Sequence, residues 1–246
     1  MVTAKVYTWV DRVGGWLLPP RCVLCGRPGS RPRFDLCRAC ESELPRLDQA
    51  CPRCGLPRET RHESRSGDDG CPHCPPEPIA YSRCHAPFVY EFPVADLLQS
   101  LKYEGALASA RVLGTLLACT AAERGLAGTM DAVIPMPLHE SRLIARGFNQ
   151  SYELARCVSR SLVIPCDVRA LHRMRVTQPQ VGLSRSARRE NVRSAFVADR
   201  ARVAGRRLIL LDDVITTGST VAAAASALRS AGAVEVQAWS VARALA

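Results

Sequence analysis

Short unbroken apolar runs punctuate the second part of this chain. They stand at Ala132-Val-Ile-Pro135 and at Leu208-Ile-Leu-Leu211. Runs of this length without alternation read as strands buried on both faces of a parallel sheet. Ile79 to Tyr90, with Tyr81, Phe88, Val89 and Tyr90, also reads as extended, as do Ala195 to Ala198 and the stretch from Glu235 onward. Between these strands the pattern turns helical: a short amphipathic helix over Val94 to Tyr103, a longer one over Ala106 to Arg124, and another over Asn149 to Ser161. A further helix begins near Val221, runs through four alanines and stops near Gly232. Strand and helix alternate, so an α/β fold is expected over residues 79–246.

Before Ile79 this periodicity is lost. Met1 to Pro20 is broken by Asp11 and Arg12 and reads as a short helix. Residues 21–78 are rich in cysteine, and Pro75-Pro76-Glu-Pro78 makes a stiff boundary. Glu59 to Gly70 is polar and reads as a loop. The chain has 246 residues and 47% hydrophobic content, enough for one full α/β unit and something small beside it. It holds no apolar run near 18 residues, so no membrane span is expected. Its beginning lacks the continuous apolar centre of a secretory signal. A cytoplasmic location is expected.

The cysteines supply the first chemistry. Of 12, eight form four Cys-x-x-Cys pairs: Cys22/Cys25, Cys37/Cys40, Cys51/Cys54 and Cys71/Cys74. Without an export signal, metal is favoured over disulfides. Each pair can aim two thiolates at one tetrahedral ion, and two pairs close a four-cysteine site. Two structural Zn2+ ions in a double zinc ribbon follow, since the sites are all sulfur. Both halves open with Cys-x-x-Cys-Gly, as in an internal repeat. Sequential pairing is simplest, and interleaved pairing stays open. So does the purpose of this head. Either zinc replaces a core too small to form, or the head binds single-stranded DNA. Nine arginines against five acids from Arg21 to Arg61 suit the second reading, while the single aromatic Phe34 does not.

The second chemistry lies where the Leu208 run ends. Asp212 and Asp213 are followed by Thr216, Thr217, Gly218, Ser219 and Thr220, and then by the helix. Loop amides and the positive end of a helix dipole favour a phosphate at this point. Gly218 lets the backbone come close, and the hydroxyls add donors. After the Asp131–Pro135 strand, two prolines fix a loop in which Arg142 and Arg146 stand one helical turn apart, an arrangement suited to a diphosphate. The net charge is +10, carried almost wholly by arginine. Lys102 is therefore conspicuous. It falls between two helices, either reaching a cleft or ending a helix in solvent. From Arg169 to Arg193 there are seven arginines and one acid. This stretch reads as a flexible basic loop.

The order acid-acid-apolar-x-Thr-Thr-Gly-x-Thr over residues 212–220 resembles the phosphoribosyl-diphosphate (PRPP) loop of type I phosphoribosyltransferases. The resemblance widens with Pro135-x-Pro137-Leu-His139, Arg142-Leu-x-x-Arg146-Gly-Phe-Asn-Gln150, Thr177-Gln178-Pro-Gln180 and Arg188-x-x-Asn191. In combination these resemble the ComF family, which pairs a zinc ribbon with a phosphoribosyltransferase domain and is implicated in natural DNA uptake. The resemblance implies a mostly parallel sheet flanked by helices. It implies that Asp212 and Asp213 hold the ribose hydroxyls, directly or through Mg2+, and that Thr216 to Thr220 cradle the 5-phosphate. It further implies that Arg173, Thr177, Gln178 and Arg188 reach the diphosphate or a second substrate, with Lys102 a further catalytic candidate. Three functions follow: transfer of a phosphoribosyl group from PRPP to a nitrogenous acceptor, PRPP or nucleotide sensing without catalysis, and nucleic-acid handling beside competence-machinery partners. The residues do not specify the acceptor.

Overall fold

The computed structural model of the chain describes residues 20–31, 34–58, 71–74, 78–174 and 195–245. The expected helix over 1–20 and the loop over 59–70 lie outside those residues, save Pro20. So do Thr177, Gln178, Gln180, Arg188 and Asn191 of the basic stretch.

Among the described residues one sheet forms the centre. Its strands are β1 (Arg83–His85), β2 (Phe88–Val89), β3 (Ala132–Pro135), β6 (Arg207–Ile215) and β7 (Glu235–Arg243). The order is β1-β7-β6-β3, with β2 also on β7, and every pairing is parallel. A separate antiparallel pair joins β4 (Leu171–Arg173) to β5 (Phe196–Ala198). The helices are α1 (Arg38–Ser42), α2 (Val94–Gln99), α3 (Leu107–Glu123), α4 (Glu140–Arg146), α5 (Gln150–Leu162), α6 (Arg200–Val203) and α7 (Ser219–Ser230). None of the described helices is long and apolar enough to cross a membrane.

The unbroken run on β6 is buried on both faces, as its pattern requires: Leu208, Ile209, Leu210 and Leu211 are all inaccessible. Successive side chains leave a strand on opposite sides. Ile209 and Leu211 join Val133, Trp239 and Val241 against α3 and α5. Leu208 and Leu210 join Ala132, Ile134, Val236 and Ala238 against α7. The sheet is thus covered by helices on both faces.

The register of β3 on β6 pairs Pro135 with Leu211, and the Met136 amide donates to the Leu211 carbonyl at 2.8 Å. In a parallel pair both carboxyl ends point the same way. The loop after β3 is therefore set beside Asp212. On its other side β6 continues against β7, pairing Asp212 with Ser240 and Ile215 with Arg243. The strand thus runs past the two aspartates to Ile215, so the loop begins at Thr216, because β7 is long enough to keep pairing it.

The cysteine-rich head repeats one turn twice. Gly26 and Gly55 each follow a Cys-x-x-Cys at φ 72° and 73°, where only glycine is unstrained. Their amides donate at 2.8 Å to the Cys22 and Cys51 carbonyls. The first half does not stand apart from the body. Cys22, Phe34, Leu36, Cys37 and Leu44 share one apolar cluster with Leu113, Leu117 and Val241.

Helices α3 and α5 come close at Gly114, where an added Cβ would lie 2.6 Å from the Cys157 Cβ and 3.0 Å from the Leu154 carbonyl oxygen. Gly114→Ala is expected to overpack this crossing. Despite the better helix propensity of alanine, it should lower stability by about 1–3 kcal/mol, read as a fall in the urea midpoint at constant slope.

Candidate functional site

Asp212 and Asp213 sit half-buried near the end of β6. Because β3 ends opposite Leu211, they have no strand partner on that side, and α5 begins there instead. Asn149 caps α5: its Oδ1 accepts from the amides of Ser151 and Tyr152 at 2.9 and 3.3 Å. Its Nδ2 donates to the Met136 carbonyl at 3.0 Å, pinning the proline loop to the helix start. This places Ser151, whose hydroxyl donates to Asp212 Oδ1 at 3.0 Å. The Asp213 amide donates to the same oxygen at 2.9 Å. Burial, and then the neighbouring Asp213 charge, push the Asp212 carboxyl up to about 8.

Beyond Ile215 the chain turns through Thr216, Thr217 and Gly218 into α7. Gly218 takes φ 78°, and its carbonyl accepts from the Ala222 amide at 2.9 Å. Thr216, Thr217 and Ser219 are exposed, while Gly218 and Thr220 are half-buried. The hydroxyls of Thr217 and Ser219 lie 2.9 Å apart. Three hydroxyls and the first amides of a 12-residue helix thus face solvent a few residues beyond the carboxylates. That arrangement can hold a phosphate.

The basic residues approach from two elements. Arg142 and Arg146 lie on α4, which His139 caps by accepting from the Ser141 amide. Arg142 is exposed, and Arg146 is half-buried with Nη1 donating to Gln150 Oε1 at 2.6 Å. Arg173, on β4, lies over the Phe196 ring at 5.4 Å. Burial and the Arg142 charge lower its pKa, while Asp212 acts in the opposite sense. Arg173 therefore lies within electrostatic reach of both Arg142 and Asp212.

Lys102 lies in a π-helical turn, Ser100–Glu104, that interrupts the expected helix after Gln99 and ends at Gly105 with φ 68°. Such turns re-aim side chains. Here Lys102 Nζ sits 5.6 Å from the Tyr103 ring, and Arg146 Cζ sits 5.9 Å from the same ring. Lys102 thus joins the basic group through Tyr103 and Arg146.

Two residues with clear parts in this arrangement, Ser151 and Arg243, are not evident from motifs. Ser151 follows Asn149-Gln150 at a helix start, where a small hydroxyl reads as ordinary capping chemistry. Arg243 left one clue, a charge at the far end of a strand whose other charge, Glu235, stands at its start.

In the head, the sulfurs of Cys22, Cys25, Cys37 and Cys40 lie within 4.8 Å of one another, and so do those of Cys51, Cys54, Cys71 and Cys74. Close pairs are Cys25–Cys37 at 3.6 Å, Cys51–Cys74 at 3.6 Å and Cys54–Cys71 at 3.7 Å. Sulfurs about 2.3 Å from a tetrahedral zinc would stand about 3.8 Å apart, so both sets fit that ion. Successive pairs come together, not interleaved ones. Burial alone would raise the Cys22 and Cys51 thiols. Backbone N–H groups, including those of Cys25 and Cys54, hold them instead at about 6 and about 7.

Comparison with known proteins agrees with this layout. A family model described as a double zinc ribbon domain matches residues 13–75, and one described as a phosphoribosyl transferase domain matches residues 149–246. The chain is 35% identical over 232 residues to the DNA utilization protein YhgH of Escherichia coli O157:H7, covering 93% of this chain and 99% of that one. It is 30% identical over 229 residues to Competence protein F of Haemophilus influenzae, covering 91% and 97%. It is 22% identical over 242 residues to Competence protein ComFC of Bacillus subtilis, covering 90% and 94%. Among solved structures, it is similar to a glutamine PRPP amidotransferase from B. subtilis, complexed with ADP and GMP. That match has 26% identity over 54% of this chain and 26% of that chain, with a TM-score of 0.39.

The raised Asp212 carboxyl has a measurable consequence. Its ordinary value is 3.8, so between there and about 8 the folded chain binds an extra proton. The stability this group contributes is complete below the lower value and is lost as pH rises through the upper one. Asp212→Asn keeps the Oδ1 acceptor and removes the charge. Thermal melts of the unliganded protein should coincide with wild type at pH 4, while at pH 9 the variant melts about 4–8 °C higher, a figure discounted for partial exposure.

Proposed function

The chain belongs to the ComF family, and on that premise we propose that it binds PRPP with Mg2+ at the end of β6 and transfers the phosphoribosyl group to a nitrogenous acceptor. One observation carries this reading. Asp212 and Asp213 stand four and three residues before Thr216, where the turn that opens α7 begins, and Arg173 lies within electrostatic reach of Asp212.

The roles follow from charge and reach. The turn takes the 5-phosphate on its hydroxyls and the first amides of α7. Asp212 and Asp213 take the ribose hydroxyls, which fixes the sugar. Asp212 gives up to a bound cation the proton that burial and Asp213 keep on it in the unliganded chain, leaving negative charge beside the reacting carbon. In the reaction the bond from C1 to the diphosphate oxygen breaks, its electron pair leaves with the diphosphate, and a C1–N bond forms. The sugar passes through a cationic state, which the two carboxylates favour, and Arg142, Arg146 and Arg173 favour the departing anion. Lys102 adds a cation to the same group through Tyr103. Arg188 is assigned to the diphosphate as well, on its motif alone. Mg2+ suits the donor set, since paired carboxylates are hard oxygen ligands, and it would neutralise the diphosphate.

The two four-cysteine clusters hold one structural zinc each in this reading. The relatives' names tie them to DNA utilization and competence, and we infer the same setting for this chain.

Metal analysis of the purified chain should find two zinc ions per molecule, released on acidification as the thiolates protonate. Calorimetric titration should show PRPP binding in Mg2+. Replacing both Asp212 and Asp213 by Asn should weaken it about 10- to 100-fold, the scale of lost hydrogen bonds to charged groups. A screen of nitrogenous acceptors should release diphosphate with at least one. PRPP binding without release for any acceptor overturns the transfer step and leaves a sensor. No PRPP binding overturns the site.

A further inference from the structure

Arg243 ends β7 and is only 5% exposed. Its guanidinium is spent on backbone carbonyls from three separate parts of the chain. Nε donates to the Cys54 carbonyl at 3.0 Å. Nη1 donates to the carbonyls of Ile215 at 2.8 Å and Ala244 at 3.0 Å, and also to that of Thr216. Cys54 belongs to the second cysteine cluster, while Ile215 and Thr216 lead into the threonine turn. One buried cation therefore ties the two together.

The tie fixes direction as well as position. A trans peptide unit is planar, so a carbonyl points opposite to the next residue's N–H. Turning the Ile215 and Thr216 carbonyls toward Arg243 turns the Thr216 and Thr217 N–H groups away from it. The turn of chain that carries Cys51 and Cys54 is itself docked closely on the sheet. The Cys84 amide on β1 donates to the Pro52 carbonyl at 2.7 Å. An added Cβ on Gly55 would lie 2.7 Å from Cys84 Sγ and 3.5 Å from Arg243 Cδ. Buried Tyr81 continues the contact to the turn, its hydroxyl 3.8 Å from where a Gly218 Cβ would be.

We propose that Arg243 is a positioning residue that makes the second cysteine cluster part of the threonine turn's scaffold. When Cys51, Cys54, Cys71 and Cys74 are gathered around a metal, the Cys54 carbonyl is a fixed acceptor. The guanidinium, anchored there, holds the turn's carbonyls inward and its amides outward. When that cluster opens, the anchor is lost and the turn loosens. Loaded with zinc, four thiolates would also leave a net negative charge as a counterweight to this buried cation. The ligand affected rests on the PRPP reading above, but the coupling does not.

The test is amide hydrogen exchange on the full zinc-loaded chain, comparing wild type with Arg243→Lys, Cys74→Ser and Gly55→Ala. Arg243→Lys keeps the charge and loses the fork. Cys74→Ser opens the second cluster. Gly55→Ala keeps every cysteine and Arg243, and pushes the turn of Cys51–Cys54 off β1. The amides of Ala222 and Ala244, which donate to the Gly218 and Ile215 carbonyls of the turn, should exchange about 10- to 100-fold faster in all three, the scale of charge-assisted hydrogen bonds. The amides of residues 209–211 should keep the wild-type rate, which separates the effect from general unfolding. PRPP binding should weaken by the same factor. Wild-type exchange at Ala222 and Ala244 in Cys74→Ser and Gly55→Ala overturns the coupling. Failure of wild type to bind PRPP overturns only the ligand, since the exchange comparison still stands.

Discussion

The parallel pairing of β6 with neighbours of unequal length organises this molecule. β3 stops opposite Leu211 while β7 continues to Ile215. One flank of β6 is therefore closed along its whole length, and the other opens at Asp212. Into that opening come the start of α5 and the loop after β3, because a parallel register leaves them no other side of the sheet to emerge from. The acid pair, the start of α5 and the loop after β3 are brought to one end of the sheet by strand lengths, before any side chain selects a ligand.

Much of this was legible in the residues. Apolar runs located β3 and β6, helical periodicity located α3, α5 and α7, and Cys-x-x-Cys spacing located the metal clusters. The reason is shared: each signal is local, a period or a spacing enforced by the geometry of one element. What escaped was set by distant partners. The hydrogen bond from Ser151 to Asp212 joins residues 61 positions apart. The π-helical turn at Lys102 has no distinct period in a five-residue window. Arg243 gains its role from Cys54, 189 positions away in sequence. No spacing rule spans such a gap.

The two cysteine clusters are built alike and have unequal surroundings. They share the same turn, glycine and hydrogen bonds. The first packs Cys22 and Cys37 into the large apolar cluster under α3. The second keeps a small cluster of its own, with Leu56 beside its cysteines, and meets the body through Pro52, Gly55 and Cys54. A buried apolar contact and a polar clamp respond differently to loss of metal. The former resists until the core itself melts, whereas the latter depends on one backbone atom staying in place.

The sharing of Phe34, Leu36 and Leu44 with the helices behind the sheet has a consequence for modularity. A chain severed after Pro78 would leave α3 with an uncovered greasy flank, and the freed head would lose most of what it packs on. The two halves are thus divisible as motifs but not as folding units. An insertion or recombination event that respected the proline boundary in sequence would still split a single core, and lineages that inherit one half are bound to inherit the other or rebuild that flank.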